Sequence, residues 1–374
     1  MQNKTKLVLD NNCEISDLLR SWSMGDFYNF ADQQFRNDVV YVVGRTQFAE
    51  HHALIRTLIQ QQNIRIVFSN PFEGSATLKS QIERVGMDDL VRSGQLLVIS
   101  GGNLEPEWHY MLYDLFITKI YDFEENIAAC SRTDEIYNKT DKPYKFLFLN
   151  GRTRPHRKYL LESFRLSGLL DKSLWSWLDR TVGYSKNISL LHNGQDLIGA
   201  PNAIQYLPVE YEVELYQNRI ESDNGNAFVK YQLFNNEWGE IYLNAESYID
   251  TYFSLVTETV FDYAYSFRTE KIWKPIAIGH PWIVTANKGY YRDLHNLGFR
   301  SFGHVIDESF DLIDNNQARI ERIAQVVQDL CGQDLNAFQS ECRAVCEHNQ
   351  QHLKEISQDT RNQFADRFFN FIAQ

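Results

Sequence analysis

The sequence predicts an α/β protein of two parallel-sheet domains that face a cleft, followed by a helical C-terminal tail. The chain has 374 residues, which is too long for one ordinary core and suits two domains of about 150 to 200 residues. Hydrophobic residues make up 43% and charged residues 23%, as in globular proteins. In both halves, short apolar runs alternate with helical stretches, which is typical of a parallel sheet covered by helices.

The first domain is predicted to span residues 1–141. Its apolar runs, each ending near Gly, Ser or Asn, have the character of buried strands, and the stretches between them have helical periodicity. Ligands bind such sheets at the carboxyl ends of the strands, so we expect a functional edge there. The predicted strands are 39–44, 64–69 and 96–100, and the predicted helices are 47–62 and 76–93.

The second domain is predicted to span residues 142–330. A helical tail follows at 331–374, and packing back on the first domain is one option for it. Its apolar runs again alternate with helical segments. The segment 185–245 is rich in Asn, Tyr and Glu and is assigned no regular element. The predicted strands are 145–151, 253–257 and 282–285. One predicted helix follows the loop after residue 151 and ends at 169, and two more span 270–279 and 288–297.

Charge and composition narrow the possible functions. The net charge of −12 argues against non-specific binding to nucleic acid, although a local basic groove stays compatible with it. The five cysteines show no close pair of the kind that holds zinc. The N-terminus lacks a signal-peptide pattern and no apolar run reaches the length of a membrane span. We therefore expect a cytoplasmic protein without a transmembrane segment.

The densest cluster of polar residues lies in the second domain. Glu258 and Thr259 follow a predicted strand, and Thr269, Glu270 and Lys271 open a predicted helix just after Arg268. A helix start offers free backbone N–H groups and a positive dipole end, and Lys271 adds a full positive charge, so a diphosphate fits there. The Glu270 carboxylate can accept two hydrogen bonds from the hydroxyls of a ribose. The alternative is a helix cap with solvated lysines.

This cluster resembles the donor-binding motif of GT-B glycosyltransferases, especially the alpha-1,3-fucosyltransferase type. In that family the Glu of a Thr-Glu-Lys motif holds the donor ribose and the Lys holds the diphosphate, roles that would fall to Glu270 and Lys271. Thr259 stands where the family has Asn, and Phe267 or Arg268 stands where it has Tyr. The resemblance implies a GT-B-like fold of two Rossmann-type domains.

The same segment is similar to phage-encoded glycosyltransferase-like proteins. Their motif series runs Thr-Glu-Lys, Lys-Pro, Gly-x-Pro, Leu-Gly-Phe and Asp-Glu-Ser. In this chain the series continues beyond Thr-Glu-Lys as Lys274-Pro275, Gly279-His280-Pro281, Leu297-Gly298-Phe299 and Asp307-Glu308-Ser309. The likeness covers roughly residues 145–175 and 250–311.

A second basic cluster follows the strand at 145–151. Arg152 and Arg154 lie in the loop after that strand, and guanidinium forks match phosphate oxygens. By resemblance to GT-B folds, whose first C-terminal-domain loop supplies an Arg to the diphosphate, either would bind the donor. Arg157, on the following helix, is expected to be structural, and a solvated basic turn is the alternative for the loop.

An inverting transfer also needs a base that deprotonates the acceptor hydroxyl. Glu73, in a strand-end loop of the first domain, is the leading candidate, with ordinary turn chemistry as its alternative. Other candidates in the first domain are Glu50, His51, His52, Glu105, Glu107 and His109.

The sequence thus predicts a glycosyltransferase that moves a sugar from a nucleotide-sugar, UDP- or GDP-linked, to an acceptor hydroxyl. The fucosyltransferase-like motif favours inversion, and we expect neither a metal nor a further cofactor, since helix dipole, Lys and Arg can stabilise the leaving diphosphate. The acceptor is a glycan, or alternatively a hydroxymethylated base in phage DNA, flipped out of the helix. The other open classes are a non-catalytic nucleotide-sugar-binding protein and a helical interaction protein.

Overall fold

The structure is a computed structural model, which describes residues 5–150, 154–177, 179–182, 187–192, 195–198, 219–221, 227–229 and 243–374. The chain forms two compact units. The first unit comprises Met1–Thr118, Tyr265–Arg268 and Ile356–Gln374, and the second comprises Lys119–Ala264 and Thr269–Glu355. The division therefore falls after Thr118, and the last residues of the chain belong to the first unit.

The strands are numbered along the chain. Their bounds are β1 Lys6–Asp10, β2 Ser23–Phe27, β3 Val39–Val43, β4 Arg65–Asn70, β5 Leu96–Ser100, β6 Tyr110–Leu112, β7 Tyr144–Asn150, β8 Leu174–Trp177, β9 Asp179–Val182, β10 Asn187–His192, β11 Gln195–Ile198, β12 Arg219–Glu221, β13 Ala227–Val229, β14 Thr251–Thr257 and β15 Trp282–Thr285.

The helices are numbered in the same way. Their bounds are α1 Ser16–Leu19, α2 Arg45–Gln62, α3 Ser75–Arg84, α4 Asp88–Arg92, α5 Leu115–Lys119, α6 Glu124–Cys130, α7 Thr133–Asn138, α8 Pro155–Leu166, α9 Ala245–Ile249, α10 Glu270–Ile278, α11 Tyr290–Asn296, α12 Asn316–Cys331, α13 Leu335–Asn362 and α14 Phe364–Ile372. Short 3₁₀ turns occupy Arg20–Trp22, Phe30–Asp32, Leu170–Lys172 and Ser309–Leu312.

The first unit is built on a six-stranded sheet in the order β2-β1-β3-β4-β5-β6. Every neighbouring pair of strands is parallel. Strand β3 is buried along its whole length, as expected for a central strand covered on both faces. One face packs against α2 and α3, where Phe48 stacks on Phe68 and Leu78 and Ile82 are buried. All six carboxyl ends therefore lie on one edge of this sheet.

Helix α14 belongs to the first unit and packs there through its apolar face. Phe364 and Phe368 are buried, and the ring of Phe364 contacts that of Tyr113. The guanidinium of Arg367 donates to the carbonyl oxygen of Leu112 at 2.9 Å. These contacts hold α14 against the segment around β6, the last strand of the first sheet.

The second unit is built on a four-stranded parallel sheet in the order β15-β14-β7-β8. Its core is aromatic, with Phe146 and Phe253 stacked across neighbouring strands and Phe164 of α8 against Phe146. The chain from β9 to β13 adds an antiparallel three-stranded sheet and a two-stranded pair. Parallel strands joined by covering helices are the arrangement that the alternating sequence pattern indicates.

The predicted α/β class, with two parallel sheets and a helical C-terminal segment, is confirmed. The predicted strands 39–44, 64–69, 96–100, 145–151, 253–257 and 282–285 correspond to β3, β4, β5, β7, β14 and β15 within two residues. The single helix predicted over 76–93 is wrong, because Gly86, at φ 66°, ends the helical path between α3 and α4. No strand was predicted at β1, β2, β6, β8 or β9, since these short runs give little periodic signal. The segment 185–245, to which no regular element was assigned, contains strands β10 to β13.

No helix in the described part of the chain combines the length and apolar character needed to cross a lipid bilayer.

Candidate functional site

The carboxyl edge of the second sheet brings the predicted donor residues of the second unit together. Thr257 ends β14, and its hydroxyl donates to Asn150 Oδ1 at the end of β7, over 2.7 Å. The next strand, β15, ends at Thr285, whose carbonyl accepts from the backbone N–H of Glu258. This edge is where ligands bind in open parallel sheets.

Helix α10 begins beside this edge because the sequence supplies a cap. Thr269 is the N-cap residue, with extended backbone, and its Oγ1 accepts from the N–H of Lys271 at 3.4 Å. Gly279, at φ 72°, ends the helix in the left-handed conformation. The Thr-Glu-Lys motif therefore places an acidic and a basic side chain in the first helical turn, at the positive end of the dipole.

Glu258 anchors the start of this helix and is completely buried. Its Oε1 accepts from the N–H of Thr269 and the hydroxyl of Tyr290, both at 3.0 Å. Its Oε2 accepts from Thr269 Oγ1 at 2.7 Å and from the N–H of Thr259 at 3.3 Å. Burial raises the pKa of Glu258, against the opposing effects of Lys271 and of the hydrogen bonds from Thr269. Glu258 and Thr259 thus position the site, and Tyr290 is a member that sequence reasoning missed.

The Lys271 ammonium lies over the first turn of the helix. Its Nζ contacts Glu270 Oε1 at 2.5 Å and Thr269 Oγ1 at 3.1 Å, and its side chain is 24% exposed. Burial by itself would raise the pKa of Glu270, but Lys271 and Lys274 hold that pKa below its usual value. Glu270 therefore stays a carboxylate at neutral pH, next to a cation that solvent reaches.

The loop after β7 supplies a second basic feature. Arg152 lies outside the described residues. Arg154 is half-buried at the N-cap of α8, and its buried Nε has no acceptor among the residues that the structure describes. Such a donor suits a phosphate oxygen.

His156 and Arg157 of α8 have structural roles. His156 Nε2 contacts the carbonyl oxygen of Glu258 at 2.9 Å, and Arg157 donates to the carbonyl oxygen of Thr257 at 2.8 Å. Burial lowers the pKa of His156 to about 3, so its ring is neutral and donates to that carbonyl. Together these two side chains hold the backbone at the end of β14. A structural role is what the position of Arg157 on the helix predicts.

Arg268 is in the first unit, unlike the three residues that follow it. It is buried, and its Nε donates to Asp114 Oδ2 at 3.0 Å. The neighbouring Phe267 packs so closely on Gly74 that a Cβ at that glycine would overlap its ring. Arg268 therefore holds the segment Tyr265–Arg268 in the first unit, and the structure does not group it with Glu270 and Lys271.

The predicted base, Glu73, lies beyond the carboxyl end of β4. Its Oε1 contacts Arg45 Nη1 at 3.3 Å, and its side chain is 25% exposed. Among the alternative candidates, Glu105 lies 3.6 Å from Lys79 Nζ. The others, on α2 and in the loop before β6, are exposed or half-exposed: Glu50, His51, His52, Glu107 and His109.

Acidic pH should destabilise the second unit through His280, a residue of the Gly279-His280-Pro281 motif. Its Nδ1 contacts Ser254 Oγ and its Nε2 contacts the carbonyl oxygen of Thr251, both at 2.9 Å. Burial lowers the pKa of His280 to about 3. Between pH 6.5, the ordinary value, and pH 3 the unfolded chain binds a proton here that the folded chain does not. The stabilisation that the neutral His280 ring gives the folded chain is therefore fully present above pH 6.5 and is lost as the pH falls towards 3.

The measurement is denaturant unfolding of wild type and His280→Gln at pH 7 and pH 5. The fall in unfolding free energy between these pH values should be smaller in the variant by about 2 kcal/mol, from about 1.4 kcal/mol per pH unit. Equal pH dependence in both proteins would contradict the assignment of a neutral buried ring.

No family model, curated protein or solved structure matches this chain significantly. Within the ranges that the structure describes, no group of three or more His, Cys, Asp or Glu side chains could hold a metal ion.

Proposed function

We propose that the chain is a glycosyltransferase that binds a nucleotide-sugar, UDP- or GDP-linked, at the start of α10 and transfers the sugar to an acceptor hydroxyl. The observation that carries the proposal is the partly exposed Lys271 ammonium at a capped helix start on the carboxyl edge of a parallel sheet. The positive end of the helix dipole and the Lys271 ammonium both favour a diphosphate there.

The neighbouring groups support a sugar nucleotide rather than a simple anion. Glu270 remains a carboxylate, so its oxygens can accept hydrogen bonds from the two ribose hydroxyls. It is also the glutamate of the Thr-Glu-Lys motif, to which the resemblance assigns the ribose. Arg154 offers a donor with no acceptor in the described residues, which would suit a phosphate oxygen. One carboxylate and two cations thus match the hydroxyls and the charge of the ligand.

The same groups would assist the reaction. As the bond between the anomeric carbon and the diphosphate oxygen breaks, negative charge grows on the leaving group. Lys271 and Arg154 would stabilise that charge, and the buried hydrogen bonds of Glu258 would keep the helix start fixed while it develops. Fixed cations and a helix dipole can do this without a divalent ion, so we propose a metal-independent transfer. The fucosyltransferase-like Thr-Glu-Lys motif supports inversion.

A thermal-shift screen with UDP-, GDP-, CMP- and dTDP-sugars tests the donor site. A nucleotide-sugar that binds the folded chain should raise the melting temperature in proportion to the logarithm of its concentration. Release of the nucleoside diphosphate, followed with a labelled sugar, then separates an enzyme from a non-catalytic binding protein. If no nucleotide-sugar stabilises the wild type, the proposed function is wrong.

A further inference from the structure

A short segment that directly precedes the Thr-Glu-Lys motif is anchored in the first unit. Tyr265–Arg268 belongs to that unit, whereas Ala264 before it and Thr269 after it belong to the second. The last three residues of the segment are at most 3% exposed. The chain therefore enters the first unit and leaves it again within a few residues, and the peptide bond after Arg268 leads straight into the N-cap of α10.

The ring of Phe267 occupies a slot lined by three glycines of the first unit. A Cβ at Gly74, which precedes α3, would overlap this ring. Cβ atoms at Gly101 and Gly102, which follow β5, would lie 3.1 and 3.3 Å from the Phe267 side chain, closer than an ordinary contact. Phe116 packs edge-on against the ring, with 6.2 Å between the centroids. The absence of side chains on these glycines makes the room in which the ring is buried.

A buried ion pair holds the last residue of the segment. Arg268 Nε donates to Asp114 Oδ2 at 3.0 Å, and the two side chains are only 3% and 11% exposed. Asp114 Oδ1 also accepts from the N–H of Ile117 at 3.3 Å, so this carboxylate is itself fixed at the start of α5. Separating a buried pair leaves an uncompensated charge on each side, so the pair resists release of the segment.

The next residue, Thr269, is held by the second unit. Its N–H and its hydroxyl donate to the buried carboxylate of Glu258, at 3.0 and 2.7 Å. The N–H of Thr269 and the carbonyl group of Arg268 belong to one planar peptide group, so the two anchors act on the same rigid plane. Release of Arg268 would free this plane to rotate, and the hydrogen bond from the Thr269 N–H to Glu258 would weaken with it.

We propose that Phe267, Arg268 and Asp114 are positioning residues for the donor site. By holding the peptide group between Arg268 and Thr269, the first unit keeps the start of α10 in the geometry that binds a nucleotide-sugar. The identity of the ligand in this inference rests on the proposed function. A ligand that binds only the ordered helix start loses affinity in proportion to the fraction of molecules in which that start is loose.

Gly74→Ala tests the anchor with a single methyl group. The backbone at Gly74, at φ −79°, accepts alanine, so the added Cβ acts through its overlap with Phe267. Without any nucleotide, hydrogen exchange at the Thr269 and Lys271 amides should become faster by about fivefold or more, although both amides find their acceptors in the second unit. Gly25→Ala is the matched control, since a Cβ there meets nothing within 4 Å, and it should leave the exchange unchanged.

Nucleotide-sugar affinity gives the second measurement. The Kd should rise by about fivefold or more in Gly74→Ala and in Asp114→Asn, which removes the negative charge of the ion pair and keeps the shape of the side chain. In a Phe267→Ala background, Gly74→Ala should weaken binding much less, because no ring is then left to displace. A role confined to the stability of the first unit would lower the melting temperature of the free protein and leave both the exchange rates and the Kd at their wild-type values.

The inference is overturned if Gly74→Ala and Asp114→Asn both keep the wild-type exchange rate at Thr269 and the wild-type nucleotide-sugar affinity. Asp114→Asn decides the question by itself if Gly74→Ala does not fold. Faster exchange in these variants, combined with no nucleotide-sugar binding by the wild type, would instead overturn the proposed function and leave the anchoring of the helix start intact.

Discussion

Lys271→Ala is expected to abolish most of the thermal stabilisation that a nucleotide-sugar gives the wild type. Removing a charge-assisted hydrogen bond to a diphosphate costs about 1.5 to 3 kcal/mol, which weakens binding by roughly 10 to 150 times. At a donor concentration about 100 times the wild-type Kd, a 100-fold loss reduces the stabilisation from about 2.7 to about 0.4 kcal/mol. In the proposed transfer the same cation would stabilise the leaving diphosphate, so the transfer rate should fall by a factor on the order of 10² to 10³.

The matched control is Lys158→Ala, which removes one positive charge from an exposed position on α8 of the same unit. Both the nucleotide-induced shift in melting temperature and the transfer rate should stay within about twofold of wild type, since an exposed charge contributes little to stability or binding. The unliganded melting temperature of Lys271→Ala reports whether the variant folds normally. A normally folded Lys271→Ala protein that binds the nucleotide-sugar like wild type would remove the main support for the donor site.

Glu258→Ala is expected to lower the free energy of unfolding by about 3 kcal/mol or more. The substitution leaves the N–H and hydroxyl of Thr269, the hydroxyl of Tyr290 and the N–H of Thr259 without their acceptor. A buried donor without a partner costs about 1 to 3 kcal/mol, and relief of the burial of the carboxyl group offsets part of the sum. The start of α10 should loosen, and nucleotide-sugar binding should weaken with it.

Tyr290→Phe separates the contribution of a single donor in this network. It removes one hydroxyl and keeps the ring, so the expected loss is about 1 kcal/mol. Glu321→Ala, at an exposed glutamate of α12, is the control for loss of a carboxylate and should change stability by less than about 0.5 kcal/mol.

Denaturant unfolding gives the stabilities, and hydrogen exchange at the Thr269 and Lys271 amides reports the helix start directly. If Glu258→Ala is as stable as Glu321→Ala and keeps the protection of these amides, Glu258 does not anchor the helix.

The local structure around Thr269, Glu270 and Lys271 could be predicted from the sequence alone. Thr269 as a cap, Glu270 and Lys271 in the first turn and Gly279 at the end are consequences of neighbouring residues, so the helix could be predicted within one residue. Their position at the carboxyl edge of the sheet could also be predicted, because parallel strands bring their carboxyl ends to one side of a sheet. The glycosyltransferase function stays a prediction, and so does each residue's role towards a donor.

The partners of these residues could not be predicted. Tyr290 reaches Glu258 across 32 residues of sequence, and Asp114 reaches Arg268 across 154. Neither pairing has a local pattern, because each depends on how strands and helices pack. Arg268 adjoins Thr269 in the motif, yet packing places it in the first unit, where a carboxylate already engages it.

The amino-acid sequence by itself determined the buried strands β3, β4, β5, β7, β14 and β15, the helix start with its cap, and the acidic composition, since periodicity and capping act over a few residues. Tertiary structure decided which charges are enclosed and which stay accessible. It buries Glu258 under four donors, leaves Lys271 partly exposed, and encloses the Nε of Arg154 without an acceptor among the described residues. The reason is physical: the ionisation and the free hydrogen-bonding capacity of a side chain depend on the groups that folding brings around it, which lie far away along the chain.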